Sequence, residues 1–521
     1  MNSDHSQRNA GPRSAPSRRP HRSLRVASAV AAGICLLATI LLASFWPFTE
    51  RRVTQSFSET FPGKLTIARY HYHWFPHPGC VAEDVTFLPK TPSGDSATVI
   101  SARRITIRAD YHVLLLRPGH IARVLIEGLR VQVPAAGSRA PLQNPSPSRV
   151  VLAEVIADGA VLEIARHGKP PLNFQVTSLR LYSLRHASAF SYEAVFRNPL
   201  PPGEIRSSGR FGPWNEVRPA ATPASGTYSF QRADLSVFHG IAGFLSSDGR
   251  FAGTLEHLDT QGTIDIPDFE VTRSGHSVPL AVQYHSVVNA ADGDVTLTRV
   301  DALVLKTKVL ATGSVAARQG EGGKFTMIDL TVNQGRIQDA LRVFAAVPQP
   351  PLNGSASFRA HVAVPPGDHP FLEKVVLFGD FGVQEGQFTH PDTQQSVADL
   401  STRGAGKKPE DPEAVDPRGL VSDLSGHVEL RNGMATFSEF RFQVPDARAD
   451  MHGTYDLFSE KVDLHGILRT TAKFSETTSG FKSLLLKPFD AFFKRKHGGG
   501  KVPVKLTGTY SHPEPGLDLI K

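Results

Sequence analysis

The sequence predicts a mainly β protein: an N-terminal single transmembrane helix followed by a long, curved antiparallel β-sheet shaped as an open groove, with a few short helices. Three observations predict it. An uncharged run of 21 residues, Val26–Trp46, stands near the N-terminus. From Leu65 onward apolar residues recur with a period of two, the signature of half-buried strands. From Val150 to Leu519 the chain is short alternating runs separated by Gly, Asp, Asn and Pro, the residues of turns.

The uncharged run comes first. At about 1.5 Å rise per residue, a helix of that length spans about 30 Å, the hydrocarbon thickness of a bilayer. A signal-peptide core is about 7–15 residues long and ends in a small-x-small cleavage site. Val26–Trp46 is longer, and Leu41-Leu42-Ala43-Ser44 makes a poor site. The expectation is an uncleaved anchor. The alternative is a buried core helix, which rarely lacks charge on every face over such a length. Six arginines precede the run (Arg8, Arg13, Arg18, Arg19, Arg22, Arg25), and two, Arg51 and Arg52, follow it. The positive-inside rule then places residues 1–25 in the cytoplasm and the bulk of the chain across the membrane. Those 25 residues, rich in Arg, Ser and Pro, are expected to be disordered.

A net charge of +8 points to nucleic acid until the charge is located. Residues 1–25 and residues 482–501 carry +5 each, which leaves the rest of the chain at −2. A surface that tracks phosphates needs its basic charge spread over a folded face. No nucleic acid partner is expected. The two cysteines, Cys35 inside the anchor and Cys80 beyond it, cannot pair within one chain, so burial and backbone pairing must hold the exported part together.

In chain order, Val53, Phe57 and Phe61 form the apolar stripe of a short helix over Thr49–Phe61, stopped by Pro62-Gly63. Strands follow at Leu65–Ile67, Val81–Leu88, Ile105–Leu116 and Ile121–Val133, and Ala135–Ser148 reads as a Pro/Ser-rich linker. Two hairpins are explicit. Asp292-Gly293 lies between Val288 and Val295, and Asn432-Gly433 between Leu430 and Phe440; both dipeptides suit a two-residue turn. Gly-Thr followed by a large apolar residue recurs irregularly at Gly226, Gly253, Gly262, Gly453 and Gly508. The uneven spacing describes a long meander rather than a fixed-period solenoid. Asp234–Leu245 and Ile337–Val347 are short helix candidates, and Arg403–Arg418 is a charged, proline-rich loop. The resulting organisation is a tail over 1–25, the anchor over 26–46, an N-terminal unit over 49–134, a central β region over 149–400, a polar loop over 401–420 and a C-terminal unit over 421–521.

Near the end, Phe481, Leu484, Leu485, Phe489, Phe492 and Phe493 share one face of a helix whose other side is basic. Two readings stand: an amphipathic element lying on an anionic membrane surface, or a helix that caps the sheet with its apolar face.

Chemistry-bearing motifs are scarce. His71, His73, His77 and Cys80 form the one cluster with metal-ligand character, but Pro76 and Pro78 break the run and a structural site needs about four ligands. Gly320–Lys324 has phosphate-loop composition with the wrong spacing, and Phe325 stands where Ser or Thr should ligate magnesium. No nucleophile elbow, zinc-protease motif or EF-hand pattern is present. The expectation is no enzyme, with no catalytic residue, cofactor or metal.

So much sheet with one apolar face raises the question of what covers it. An antiparallel sheet curled into a trough leaves its inner face open unless a ligand fills it. Rows of valine and phenylalanine would solvate acyl chains at about 0.8 kcal/mol per buried methylene. The lining candidates are Ile264, Ile266, Val428, Leu430, Phe440, Phe442 and Val444. At about 4.8 Å per strand, some 25–30 strands laid flat would reach about 120–140 Å, less any twist.

The run LTIARYHYHWFPHPGCVAEDVTF (65–87) and the following ITIRADYHVLLLRPGHIARVLIEGLRV (105–131) resemble the N-terminal region of AsmA-like envelope proteins. GFLSSDGRFAGTLEHLDTQGTIDIPDFEV (243–271) is similar to their middle. The segment LSGHVELRNGMATFSEFRFQVPDARADMHGTYDLFSEKVDLHGIL (424–468), with SGFKSLLLKPFDAFFKR (479–495) and KVPVKLTGTY (501–510), is similar to their C-terminal region. The resemblance implies a bacterial inner-membrane anchor, a periplasmic β-groove, and a role in moving phospholipid toward the outer membrane or maintaining that membrane. Phospholipid acyl chains, the inner membrane through Val26–Trp46, and membrane partner proteins are the implied partners. The alternative is a non-enzymatic β-scaffold that assists outer-membrane protein assembly, which needs the same sheet but a closed interior.

Overall fold

The computed structural model describes residues 46–471 and 501–518, apart from 62, 90–97, 113–119, 135–150, 167–168, 186, 216, 291, 319–322, 347, 368, 406–415, 417–418 and 510–512. Most of Val26–Trp46 and all of the 481–496 segment therefore lie outside the described residues. Among those described, no helix is long and apolar enough to cross a membrane.

The described chain is mainly β, with 25 strands in one mixed sheet and four short α-helices. Helix α1 (Glu50–Thr60) precedes β1 (Gly63–His73), β2 (Gly79–Pro89), β3 (Val99–Arg108), β4 (His120–Glu127), β5 (Arg130–Val133) and β6 (Val151–Arg166). Then come β7 (Lys169–Leu184), β8 (Phe190–Pro199), β9 (Pro202–Phe211), β10 (Pro223–Asp234), β11 (Ile241–Ala242), β12 (Phe244–Thr254) and β13 (His257–Val271). The middle continues through β14 (His276–Asn289), β15 (Asp294–Val304), β16 (Thr307–Ala317), β17 (Lys324–Arg336), α2 (Ile337–Phe344), β18 (Leu352–Val364) and α3 (Phe371–Lys374). The rest is β19 (Val376–Phe388), α4 (Pro391–Gly404), β20 (Ser422–Arg431), β21 (Met434–Val444), β22 (Ala447–Asp456), β23 (Val462–Thr470), β24 (Lys501–Gly508) and β25 (Pro513–Leu517).

Apart from β11, which lies beside the end of β13, strands pair with their neighbours in sequence. All pairings but two are antiparallel. β4 and β5 are halves of one run broken at Gly128, whose φ is +63°; both run antiparallel to β3 and parallel to β6. A parallel neighbour requires a return crossover of a dozen or more residues. The chain between β5 and β6, which includes the linker Ala135–Ser148 read from sequence, has the length for such a return. The expected wholly antiparallel sheet is corrected to a mixed one for this reason.

Other expectations divide by local chemistry. α1 forms where the Val53/Phe57 stripe places it, and Phe57 packs on Phe87 with ring centroids 5.0 Å apart. Asn432-Gly433 is a two-residue turn, both residues at positive φ, with Arg431 opposite Met434. Asp292-Gly293 ends a four-residue loop instead, closing Asn289 against Asp294. β3 stops at Arg108 rather than running to Leu116. The helix expected over Asp234–Leu245 is a single 3-10 turn, Leu235–Val237, because Gly240 and Gly243 adopt φ of +101° and +121° and turn the chain back into the sheet. α2 forms as expected, and α4 was not foreseen.

Strand ends form two rims. From β10 onward, one rim carries the turn after β10 and the β13–β14, β17–β18, β19–β20 and β21–β22 connections, and holds α2 and α4; the other carries the β18–β19 and β22–β23 connections, and α3. Two contacts join the rims. The Phe371 amide donates to the His239 carbonyl at 3.1 Å, linking the turn after β10 to the β18–β19 connection. Arg273, between β13 and β14, donates to the Phe458 carbonyl at 2.7 Å and lies over that ring at 5.6 Å. Each contact spans eight or nine strands, so the sheet is wound, and its reach is shorter than that of a flat ribbon.

Candidate functional site

Side chains alternate between the two faces of a strand. On β13 Leu258, Ile264 and Ile266 share one face, while Asp259, Gln261, Thr263 and Asp265 stand exposed on the other. Pairing registers show how far that apolar face extends. Tyr70 lies opposite Ala82, then Ile105, Ile126 and Ala157 follow strand by strand. Next come Leu179, Ala194, Ser207, Tyr228 and Gly249. The row continues through Gly262, Tyr284, Val300, Ala311, Leu330 and Ala360. It ends with Gly379, Val428, Phe437, Gly453, Leu464 and Leu506. This unbroken row crosses the sheet from β1 to β24, and no residue in it is charged.

Glycines gather on the same face. An added Cβ would lie 2.0 Å from the Ser225 carbonyl oxygen at Gly209, 2.2 Å from that of Met327 at Gly313, and 2.2 Å from that of Asp450 at Gly466. Neighbouring backbones thus approach more closely here than any side chain permits, which is how a sheet bends toward one face. The Gly-Thr repeat acquires a physical meaning: Gly226 and Tyr228, Gly262 and Ile264, and Gly453 and Tyr455 face the apolar side, with each threonine between them on the other. The Tyr228 ring fills the gap over Gly249, approaching to 2.7 Å of the place a Cβ would take.

Helices cover this face at three places. α1 covers β1 and β2. Val343 of α2 packs on Val271 and Val278, and Val397 and Ala398 of α4 pack with Leu420, Val444 and Ala447, against Phe388, Phe442 and Leu468. All seven lining candidates lie on the apolar side, but in two settings. Phe442 and Val444 are beneath α4, and Ile266 is buried where Gly243 brings its backbone close. Ile264, Val428, Leu430 and Phe440 are half-buried and belong to no helix-covered cluster. Phe381, Phe437 and Phe440 form a ring cluster with centroids about 6 Å apart (6.0, 6.0 and 5.9 Å).

One polar belt lies on this uncharged face, with Ser207, Tyr228 and Tyr284 of the row in it, and it escaped sequence reasoning. Tyr192 and Ser207 hydroxyls meet at 3.0 Å, Ser207 donates to the Thr227 carbonyl at 3.0 Å, and Tyr228 meets Ser247 at 3.2 Å and also contacts the Tyr284 hydroxyl. Burial holds the Tyr228 phenol above its ordinary pKa. The available signal was the tyrosine two residues after a strand glycine. A hollow of about 650 Å³ lies over β7–β12, but its charged residues, among them Arg180, Glu193, Arg206 and Asp248, belong to the polar face.

The His71/His73/His77/Cys80 cluster does not converge. Cys80 is buried with Trp46, Phe48 and Ala109, and Tyr70 packs against them; the His73 ring contacts the His77 carbonyl, and His77 faces Asp110 at 3.7 Å. Among the described residues no group of three or more His, Cys, Asp or Glu side chains could hold a metal ion. Lys324, the last residue of the glycine-rich run, pairs with Asp294 at 2.9 Å.

No family model, curated protein or solved structure matches the chain. The functional reading therefore rests on the apolar face itself.

Proposed function

We propose that this chain is an inner-membrane-anchored periplasmic protein of the AsmA-like type. Its wound sheet forms a groove whose apolar face binds phospholipid acyl chains and conducts them toward the outer membrane. The observation that carries the reading is the uncharged row running from Tyr70 to Leu506, half-buried over most of its length. The exposures support a concave apolar side: on β18 the small Ser357 is exposed while Phe358 beside it is not. Glycines that let backbones crowd on that side support the same curl.

The scaffold alternative requires a filled interior. Here Phe381, Phe437 and Phe440, which cluster on the apolar face, stay half-buried. An apolar surface of this extent calls for a ligand in water. Each methylene it takes from water contributes about 0.8 kcal/mol.

The test is direct. The fragment 46–521, which keeps Trp46 and Phe48 in their cluster and lacks the anchor, is exported, purified and extracted for lipid mass spectrometry. Stoichiometric phospholipid is expected. A stable, lipid-free monomer contradicts the proposal.

A further inference from the structure

The β1–β2 hairpin ends in a tip, Trp74–Pro78, that has no place in the lipid-lining face. Its aromatic residues, and Tyr72 at the end of β1, are open: Phe75 is 85% exposed, Tyr72 50% and Trp74 38%. Tyr111, 40% exposed, stands beside them and contacts the Trp74 carbonyl through its hydroxyl. Large aromatics in a soluble surface loop normally fold back onto the protein. Phe75 is held outward. The Ala109 amide donates to the Pro78 carbonyl at 2.8 Å, which braces the tip against the end of β3.

The position of the tip identifies what it meets. Trp46, the last residue of the 21-residue uncharged run, stacks on Trp74 with ring centroids 3.8 Å apart, and Tyr72 packs edge-on to Trp74 at 6.3 Å. Tyr70 donates to the Phe48 carbonyl at 2.7 Å, tying the strand to the same point of entry. The tip is thus fixed beside the place where the chain leaves for the run Val26–Phe45. Tryptophan and tyrosine, with an apolar ring and a polar edge, concentrate at the headgroup boundary of a bilayer.

We infer that the β1–β2 tip, with Tyr72, Trp74, Phe75 and Tyr111, is an aromatic foot seated in the headgroup layer of the membrane that holds the anchor. The inference rests on the reading of Val26–Trp46 as a membrane span. It adds a second membrane contact, built by the folded domain, and sets the first strand of the sheet against the bilayer surface. The run of histidines beside the tip, read above as a weak metal cluster, then becomes part of a polar collar around inserted rings.

The full chain, reconstituted in vesicles of phosphatidylethanolamine and phosphatidylglycerol, carries a photoreactive phenylalanine at position 75 or, in a parallel sample, at 344. Phe344 is 60% exposed and ends α2, far along the sheet. Both sites are exposed, so neither replacement disturbs packing. A several-fold excess of lipid adducts at 75 over 344 is expected. Equal yields, or adducts at 75 to protein alone, overturn the inference. Adducts at Phe437 report the groove independently, so either idea fails without the other.

Discussion

Phe437→Glu is expected to strip bound phospholipid from the purified fragment while leaving it folded. Phe437 sits in the uncharged row, beside Phe381 and Phe440 and opposite Gly453, and no helix-covered cluster includes it. A carboxylate there remains half-exposed and hydrated in the empty groove, so the stability cost is about 1 kcal/mol, an ordinary value for a point substitution. With lipid present the same charge must be buried against acyl chains without a partner, which costs several-fold more. Occupancy therefore falls before stability does. Val444→Asp behaves differently. Val444 is buried beneath α4 among Val397, Ala398 and Leu420, so the charge is forced into a packed cluster and costs about 4 kcal/mol or more. Thermal unfolding and lipid mass spectrometry on both variants separate the two cases. Parallel loss of lipid and fold in Phe437→Glu would show that the row is ordinary core.

The second large effect concerns curvature. Gly466→Val places a Cβ 2.2 Å from the Asp450 carbonyl oxygen and 2.7 Å from the Met451 Cα, backbone atoms that no rotamer change can move. Either β22 and β23 separate or the sheet flattens locally. Overpacking with backbone displacement costs about 3 kcal/mol. Thr454→Val, on the opposite face of β22, should change stability by no more than about 0.5 kcal/mol. Hydrogen exchange should show lost protection in β22 and β23 of Gly466→Val alone. Equal protection in the two variants would mean that the glycines do not set the curl.

The limits of sequence reading are instructive at particular residues. Asn432-Gly433 announced its turn because both positions need positive φ, a requirement local to two residues. The Gly-Thr repeat was visible, yet its meaning depended on which face each residue takes, and that follows only from register. The strand β4–β5 reads like any other alternating run; its parallel pairing with β6 is seen only in the register, because alternation carries no direction. Likewise α4 lies in a stretch, Pro391–Gly404, whose weak apolar stripe is stabilised by Phe442 and Val444, residues distant in sequence. That same packing divides the lining candidates. Alternation assigned all seven to one face, but it could not tell which of them a helix would cover. The polar belt escaped notice because Tyr192, Tyr228 and Tyr284 meet their partners across strands, not along one.

The rim-to-rim contacts add a constraint that no periodicity encodes. Arg273 reaching Phe458 and Phe371 reaching His239 bring together strands that lie eight or nine apart in the sheet.

The central claim, that one continuous apolar face carries phospholipid, is tested most directly by photocrosslinking in living cells. A photoreactive phenylalanine is placed in turn at Leu179, Leu330 and Phe437 along the row, and at Arg180, Asp329 and Arg441 on the opposite face. Phospholipid adducts at all three row positions and none at the other three are expected. Adducts spread equally over both faces, or absent from the row, would contradict the account.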